Sequence, residues 1–579
     1  MRLDRLTVSN FRNLADIDLR LLPGAVIVGE NRAGKSNLIH ALRLILDPTL
    51  SYTDRQLGRE DFWDGLSDGT ASWDPMAAGC VIEASVEILN FQDDPKLLTA
   101  LAGSLLTGEP MRARLIYRFA PLDTGEETSG GRTKYRGAVY GGDNFEKTVP
   151  AEHRSYIHLH FLQALRNVES DIRTWRRSPL RALLMKAAAA VDDDDLEVVR
   201  DAMKTANDQM NGLEVVKQLG DSISDRLVEM VGPAQAVDTT LAVGPEDPMR
   251  LIRQMRLFID GDARRGLGSA SLGTLNVLYL ALLELGLDTR ILDDADIAHV
   301  VMAIEEPEAH LHPHLQRLIF RRLLDQKTRG HTTLVTTQSP HIASVADPRG
   351  LVVLRVVGAQ VKAAAAHEAS LAEGDWDDIA RYLDTTRAEL VFARQVLLVE
   401  GYAEQVLMPQ FAAAIDMDLD KLGISVCAIH GTHFLPYVRL CEALRIPWVV
   451  ATDGDVADNG QSYGALRASE LLTAQGWSGA AADHGVFVGQ RTLEYDVFDS
   501  CPENRKLCSR VLQALYSNAS ASTQQTIQSW ENQAPDYDTL MRYLRNAGGK
   551  GRYAQRLSQQ PVQPPRYIAE ALARLRTQV

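Results

Sequence analysis

The sequence predicts an α/β protein of several domains, and three observations carry that expectation. The chain has 579 residues, too many for one hydrophobic core and enough for about three or four. Hydrophobic residues make up 45% of it, so those cores can be filled and global disorder is excluded. Short apolar runs, among them Ala25-Val26-Ile27-Val28, Val396-Leu397-Leu398-Val399 and Trp448-Val449-Val450-Ala451, alternate with helical patterns and stop at glycine- or acid-bearing turns. Such runs read as buried parallel strands, whose C-terminal ends are where open α/β sheets place ligands.

At the N-terminus, alternation from Leu3 to Leu21 predicts a hairpin around Asn10-Phe11-Arg12-Asn13. The strand at 25–28 leads into Gly29-Glu30-Asn31-Arg32-Ala33-Gly34-Lys35-Ser36, which fits the phosphate-loop pattern at every fixed position. A helix follows from about Lys35, with Leu38, Ile39, Ala41, Leu42, Leu44 and Ile45 on its inner side. Backbone N–H groups at that helix start, Asn37 included, cradle phosphates. Lys35 is expected on the β and γ phosphates and Ser36 on magnesium, and the loop alone leaves open which NTPase this is. Val81–Leu89 and Ala113–Phe119 read as strands, and Asp123–Asn144, rich in Gly, Thr and charge, as a loop. Ser178–Gly261 reads as mostly helical, with Asp192–Asp195 a solvated acidic loop.

A second apolar strand, His299–Ile304, ends in Glu305 and Glu306, candidates for holding a magnesium-bound water and for the base of ATP hydrolysis. Leu334–Thr337 is another strand, ending at Gln338 and Ser339. Together with Leu6–Asn13, these segments resemble the ABC-type ATPases of the SMC/RecF kind over most of residues 1 to 355. The resemblance implies two heads that sandwich ATP and makes Arg265–Ser271, with Ser269, the signature segment. Three departures stand out: Arg32 where relatives often have glycine, Glu305 where aspartate is usual, and Gln338 where a switch histidine is expected. A glutamine neither titrates nor carries positive charge, so ATP binding with slow turnover is expected. His310, His312 and His341 read as helix or turn contacts rather than ligands.

From Ala393 the pattern is strand, Glu400-Gly401, helix, strand (Ile424–Ile429), helix, strand (Trp448–Thr452) and Asp453-Gly454-Asp455. Glu400, Glu404, Asp453 and Asp455 would converge at strand ends and repel one another unless a cation lay between them. Hard divalent cations such as Mg2+ or Mn2+ suit an all-oxygen site and serve phosphodiester chemistry. The pattern resembles a Toprim domain. An ATPase of this kind joined to a Toprim domain resembles the OLD-family nucleases, which include the GajA-type subunits of Gabija anti-phage systems, across essentially the whole chain. Phe161–Arg166, Arg381–Asp384 and Gly431–Phe434 also resemble family segments.

That resemblance implies an N-terminal ATPase part (1–165), a helical dimerisation insert (166–260), a C-terminal ATPase part (261–385) and a Toprim nuclease domain (386–579). It places Glu400 in metal binding or general-base work and makes Glu404, Asp453 and Asp455 metal ligands. Glu494, after the short strand Val486–Val488, is a further candidate ligand. Lys550, in Gly548-Gly549-Lys550-Gly551-Arg552, would offset charge on a reacting phosphate. The implied partners are DNA, a second copy of the chain in a homodimer or larger oligomer, and, in some members, a UvrD-like helicase.

The net charge of −15 runs against nucleic-acid binding as a whole-chain figure. Met541–Val579, however, holds eight Lys and Arg against a single acid, Glu570, and a local basic tail can carry phosphate contacts. Five cysteines at 80, 427, 441, 501 and 508 show no zinc spacing and fit a reducing compartment. No apolar run reaches membrane-spanning length and the N-terminus lacks a signal core, so a cytoplasmic protein without a membrane partner is expected. The function expected is an ATP-regulated, divalent-metal-dependent DNA endonuclease of anti-phage defence, working by two-metal phosphodiester hydrolysis. The alternative is a RecF-like DNA-binding ATPase of DNA repair whose Toprim domain only holds DNA. A topoisomerase would need a tyrosine nucleophile in a partner domain, and nothing in the chain resembles one.

Overall fold

The computed structural model describes residues 1–70, 73–122, 134–163, 180–231, 247, 250–252, 255–259, 265–293, 297–325, 331–383 and 385–577. The expectations at Ala164–Arg166 and Asp384, and those within 123–133, fall outside the described residues. The chain divides into two compact units: Met1–Leu162 with Val301–Glu308 and Pro313–Val579, and Gln163–Val300 with Ala309–His312.

The first unit opens with an antiparallel sheet in the order Leu14–Arg20, Arg2–Phe11, Ile82–Leu89, Arg112–Pro121, Tyr135–Gly141, Asn144–Thr148. Its first hairpin pairs Val8 with Ile17 and Leu6 with Leu19, and burial of Leu3, Leu6, Val8 and Phe11 fixes that register. Tyr135–Gly141 is a strand, which corrects the loop expected over Asp123–Asn144. Its glycines serve close approach rather than turns. A Cβ on Gly137 would lie 2.2 Å from the Arg55 carbonyl, and one on Gly141 would lie 2.3 Å from Ser104 Oγ.

The nucleotide-loop strand Val26–Gly29 is buried along its whole length. It pairs in parallel with Leu351–Val357 on one side and His331–Thr337 on the other. A strand covered on both faces needs an unbroken apolar run, which is how the sequence reads there. The sheet continues in the order Gln360–Ala365, Leu351–Val357, Val26–Gly29, His331–Thr337, His299–Glu305, Ile157–Leu162.

The C-terminal sheet is parallel throughout, in the order Ile424–Ala428, Gln395–Val399, Trp448–Thr452, Val486–Val488. Because all four strands run the same way, Glu400, Asp453 and the turn after Val488 emerge at one edge. The terminal helices share this sheet's core: Phe411, Phe498, Leu512, Leu544, Tyr553 and Ile568 pack together, fully buried.

The second unit, taken by itself, carries the helices Leu180–Ala189, Asp193–Asn211, Glu214–Val231 and Leu272–Asp293. Asp193, Asp194 and Asp195 form the first turn of a helix, which corrects the solvated loop expected at Asp192–Asp195. Carboxylates are stabilising at the positive end of a helix dipole, so an acidic run can begin a helix as readily as interrupt one. Val198, Val215 and Met230 on these helices are exposed.

Candidate functional site

Two sites take shape in the first unit. In the nucleotide loop, Gly34 has φ +90 and caps the helix Lys35–Leu46. A Cβ there would meet Leu14 Cδ2 at 2.8 Å and Asn13 Oδ1 at 2.9 Å. Arg32 has φ +67, the left-handed region that costs an ordinary side chain about 1–2 kcal/mol. The loop therefore keeps at Arg32 the backbone conformation that glycine adopts readily. Asn13 Nδ2 donates to the Arg32 carbonyl at 2.8 Å, and Asn37 Nδ2 donates to Asn13 Oδ1 at 2.8 Å. Residues 31–37 line a cavity of about 790 Å³ with Arg12, Asn13, Trp63 and Glu306.

Lys35 is buried, and its ammonium donates to the carbonyls of Gly29 at 2.8 Å and Glu30 at 3.2 Å. Glu306 Oε1 lies 3.8 Å away. Burial lowers the Lys35 pKa, while Glu306, Glu308 and Glu305 oppose that shift. The Gln338 amide donates to Glu306 Oε1. Glu308, not singled out from sequence, anchors the same strand end: it accepts from Gln338 N at 2.7 Å and Thr337 Oγ1 at 2.8 Å. Ser36 lines the cavity, and Glu305 ends its strand half-buried. Ser269 belongs to the second unit, in the turn Leu267–Ser269, where its hydroxyl donates to Gly266 O at 2.8 Å.

The carboxylate of Glu30 faces the C-terminal half. Arg394, one residue before the strand Gln395–Val399, donates to it at 2.6 and 3.1 Å. Beside it, Arg355 donates to the carbonyls of Ala393 and Arg445.

The second site is the carboxylate edge of the parallel sheet. Glu404 is 8% exposed, Asp453 5% and Glu494 2%. Glu404 sits in the first turn of the helix Tyr402–Ala414 and accepts from Gly401 N at 3.1 Å. Asp453 Oδ1 accepts from Leu493 N at 2.9 Å, with the Tyr567 hydroxyl 3.5 Å away. Lys550, first residue of the helix Lys550–Leu557, lies 3.0 Å from Glu494 Oε2. Burial, with Glu494 and Glu400 adding, pushes the Glu404 pKa up to about 7. Burial and then Glu404, Glu494 and Glu400 raise that of Asp453. Burial works against the charge of Lys550, but Glu494 and Asp453 outweigh it and raise its pKa.

Glu400 accepts on its Oε1 from the Thr452 hydroxyl and from Asp453 N at 2.8 Å, and is ion-paired there with Arg467 Nη2 at 3.2 Å. Arg467 also reaches Asp455 Oδ2 at 2.9 Å. It was missed from sequence; its signal is its place on the helix that directly follows the Asp453-Gly454-Asp455 turn, a helix that starts at Tyr463.

Among the described residues, no set of three or more His, Cys, Asp or Glu groups could hold a metal ion as it stands; one oxygen each of Glu400, Glu404, Asp453 and Asp455 is held by a protein donor, and Glu494 Oε2 is paired with Lys550. By charge the centre fits a cation. Its buried acids outnumber Lys550, and burial, followed by the neighbouring carboxylates, raises the pKa of Glu404 and of Asp453.

Two predictions follow from this geometry. A raised carboxylate pKa means that the folded chain holds protons the unfolded chain has released, between the ordinary value near 4.5 and about 7. Stability therefore falls as pH rises through that window. In chelator, the melting temperature should drop from pH 5 to pH 8, and Glu404→Gln should shrink that drop; an equal drop in the variant would contradict the assignment. The second concerns Gly464, whose added Cβ would lie 2.0 Å from the Asp453 carbonyl and 2.8 Å from Val488 Cγ1. Gly464→Ala should cost at least about 1–3 kcal/mol. Gly374→Ala, also helical but in open space, should be neutral or stabilising. Equal unfolding midpoints for the two would refute the close approach.

Comparison with known proteins agrees with this architecture. The family described as "Overcoming lysogenization defect protein-like, TOPRIM domain" matches residues 391–455. The family described as "AAA domain, putative AbiEii toxin, Type IV TA system" matches residues 25–344. The OLD nuclease of Thermus scotoductus is 28% identical over 476 residues, 78% of this chain and 82% of that protein. Endonuclease GajA of Bacillus cereus is 21% identical over 475 residues, 79% of this chain and 75% of that one. The solved C-terminal region of the Burkholderia pseudomallei OLD protein is 34% identical and covers 32% of this chain and 98% of its own, with a TM-score of 0.29. With nucleotide-binding and Toprim halves that point to use of a nucleotide and a divalent metal, the chain belongs to the OLD family of ATPase–Toprim nucleases.

Proposed function

We propose that this protein is a nucleotide-regulated DNA endonuclease that hydrolyses phosphodiesters with a divalent metal, Mg2+ or Mn2+, in anti-phage defence. The observation that carries this reading is the cluster of Glu404, Asp453 and Glu494, buried at the C-terminal edge of a parallel sheet with the exposed Lys550 paired to Glu494. Glu400, Glu404, Asp453, Asp455 and Glu494 are the groups that would hold the metal. Bound there, a divalent ion polarises the phosphate and lowers the pKa of water. Thr452 and the Asp453 amide orient Glu400 toward the reacting phosphate or its attacking water. Lys550, cationic at any working pH because its pKa is raised, offsets charge gathering on the phosphate oxygens.

Exposed Arg542, Arg545, Arg552 and Arg556 lie on the helices Tyr537–Asn546 and Lys550–Leu557. They give DNA phosphates a counter-charge beside the acids. ATP is the nucleotide assigned to the loop, with Lys35 and Ser36 on its phosphates and magnesium, Glu305 beside that ion, and Ser269 supplied by a second head. The Gln338 amide on Glu306 keeps the candidate base occupied, which suits a slow ATPase used as a signal. Glu30–Arg394 connects the nucleotide loop to the strand Gln395–Val399, which Glu400 directly follows, and is the proposed route of regulation. Self-association through the exposed apolar helices of the second unit, and pairing with a UvrD-like helicase, complete the proposal. Among the described residues no helix is long and apolar enough to cross a membrane, and a cytoplasmic site of action is proposed.

The test is cleavage of supercoiled plasmid with Mg2+ or Mn2+. Glu400→Ala and Asp453→Ala should each lower the rate at least about a hundredfold, since metal-held charge is worth several kcal/mol in the transition state. Full nicking by a folded Asp453→Ala protein would remove this centre from the reaction. Lys35→Ala should lose ATP binding yet nick without nucleotide. Arg394→Ala should bind ATP and nick, but its nicking rate should no longer change with ATP. A normal ATP response in Arg394→Ala would break the proposed route.

A further inference from the structure

The side chain of Arg467 is 17% exposed and reaches the acid edge from the helix Tyr463–Gln475. One nitrogen, Nη2, reaches Asp453 O at 2.8 Å, Asp455 Oδ2 at 2.9 Å and Glu400 Oε1 at 3.2 Å. Its Nε is buried without an acceptor. The guanidinium is thus not matched as a planar fork to one carboxylate, the arrangement that makes arginine pairs strong. It spreads one N–H2 group over two acids from different strand ends and one backbone carbonyl. The helix can come this close because residue 464 is glycine, against the Asp453 carbonyl.

Glu400 and Asp455 are acids that the proposed function assigns to a divalent cation, and Arg467 holds one oxygen of each. A cation taking these acids either displaces Arg467 Nη2 from the shared oxygens or binds the other oxygens with that positive charge within a few ångströms. Both effects weaken binding, because like charges in a partly buried site repel far more than in water. In the other direction, Arg467 keeps the two acids from repelling each other and fixes the Asp453-Gly454-Asp455 turn, where Asp455 has φ +43.

We propose that Arg467 is a positioning residue that competes with the divalent cation for Glu400 and Asp455 and so sets the cation concentration at which the centre fills. This rests on the cation reading of the same acids. Its consequence is a centre that responds to a rise in cation supply instead of standing saturated, while its acids stay ordered at low cation.

The test uses the full chain without DNA. Mn2+ is titrated against wild type, Arg467→Met and Arg467→Gln, with uncomplexed Mn2+ read by its electron paramagnetic resonance signal and melting temperatures taken in chelator and in Mn2+. Methionine keeps the apolar stem without charge; glutamine keeps a donor for Asp453 O. Both variants should bind Mn2+ about tenfold more tightly, the effect of removing one competing charge. Both should melt lower than wild type in chelator and gain more than wild type on adding Mn2+. In a separate assay with plasmid added, half-maximal nicking should shift to lower Mn2+ in parallel. Arg467→Lys, which keeps the charge, should stay near wild type in affinity. Unchanged or weaker Mn2+ binding in both neutral variants would overturn the proposal and make Arg467 a scaffold group, as would failure of both to fold. Wild type that binds no Mn2+ at all would instead remove the cation reading beneath it.

Discussion

Three carboxylates buried around one lysine set the terms for the C-terminal half. Unpaired charges of this kind cost several kcal/mol each to bury, so the fold must answer for Glu404, Asp453 and Glu494 together. It does so with Lys550, with the amides of Gly401 and Leu493, and by letting Glu404 and Asp453 keep protons above the usual carboxylate range. The same requirement shapes the surrounding backbone. Gly454 passes so near the Gly489 carbonyl that a Cβ would lie 2.4 Å from it, and Gly464 is as tightly placed against Asp453. Parallel strand pairing is what brings the acids to one edge. The terminal helices, which share the sheet's core, hold Lys550 and Tyr567 against them.

The nucleotide loop answers the mirror-image problem. There a buried lysine is held by main-chain carbonyls with Glu306 nearby, and the loop retains a left-handed residue at Arg32 in spite of its side chain. The two sites meet at Glu30 and Arg394, whose side chains are 44% and 62% exposed. Exposed pairs contribute little to stability, about 0–1 kcal/mol. The interest of this one is its position, since the strand that begins after Arg394 leads directly into Glu400.

Much of this was legible in the sequence, because the signals are local. An apolar run ending in Gly-x4-Gly-Lys-Ser, or in Glu-Gly and Asp-Gly-Asp, specifies strand, turn and chemistry within a dozen residues, and Glu400, Glu404, Asp453 and Lys35 were read that way. Glu494 and Lys550 came only from resemblance, since their meeting depends on helices folding back over 56 residues of chain. Arg467, Arg394 and Glu308 were not found. Their roles are ion pairs and hydrogen bonds to distant or differently oriented groups, and an isolated Arg or Glu on a helix or turn carries no sequence mark of its partner. The strand Tyr135–Gly141 was read as loop because glycine signals a turn as readily as a close approach. The Asp192–Asp195 run was misread because carboxylates favour both solvent and helix N-termini.

The central claim is that the buried acids form a divalent-cation centre for phosphodiester cleavage. Anomalous diffraction from crystals grown with Mn2+ tests it most directly. The account predicts a Mn2+ peak bounded by Glu404, Asp453 and their neighbouring acids at the strand ends. Crystals that bind Mn2+ elsewhere, with this edge bare and Lys550 still paired to Glu494, would contradict it.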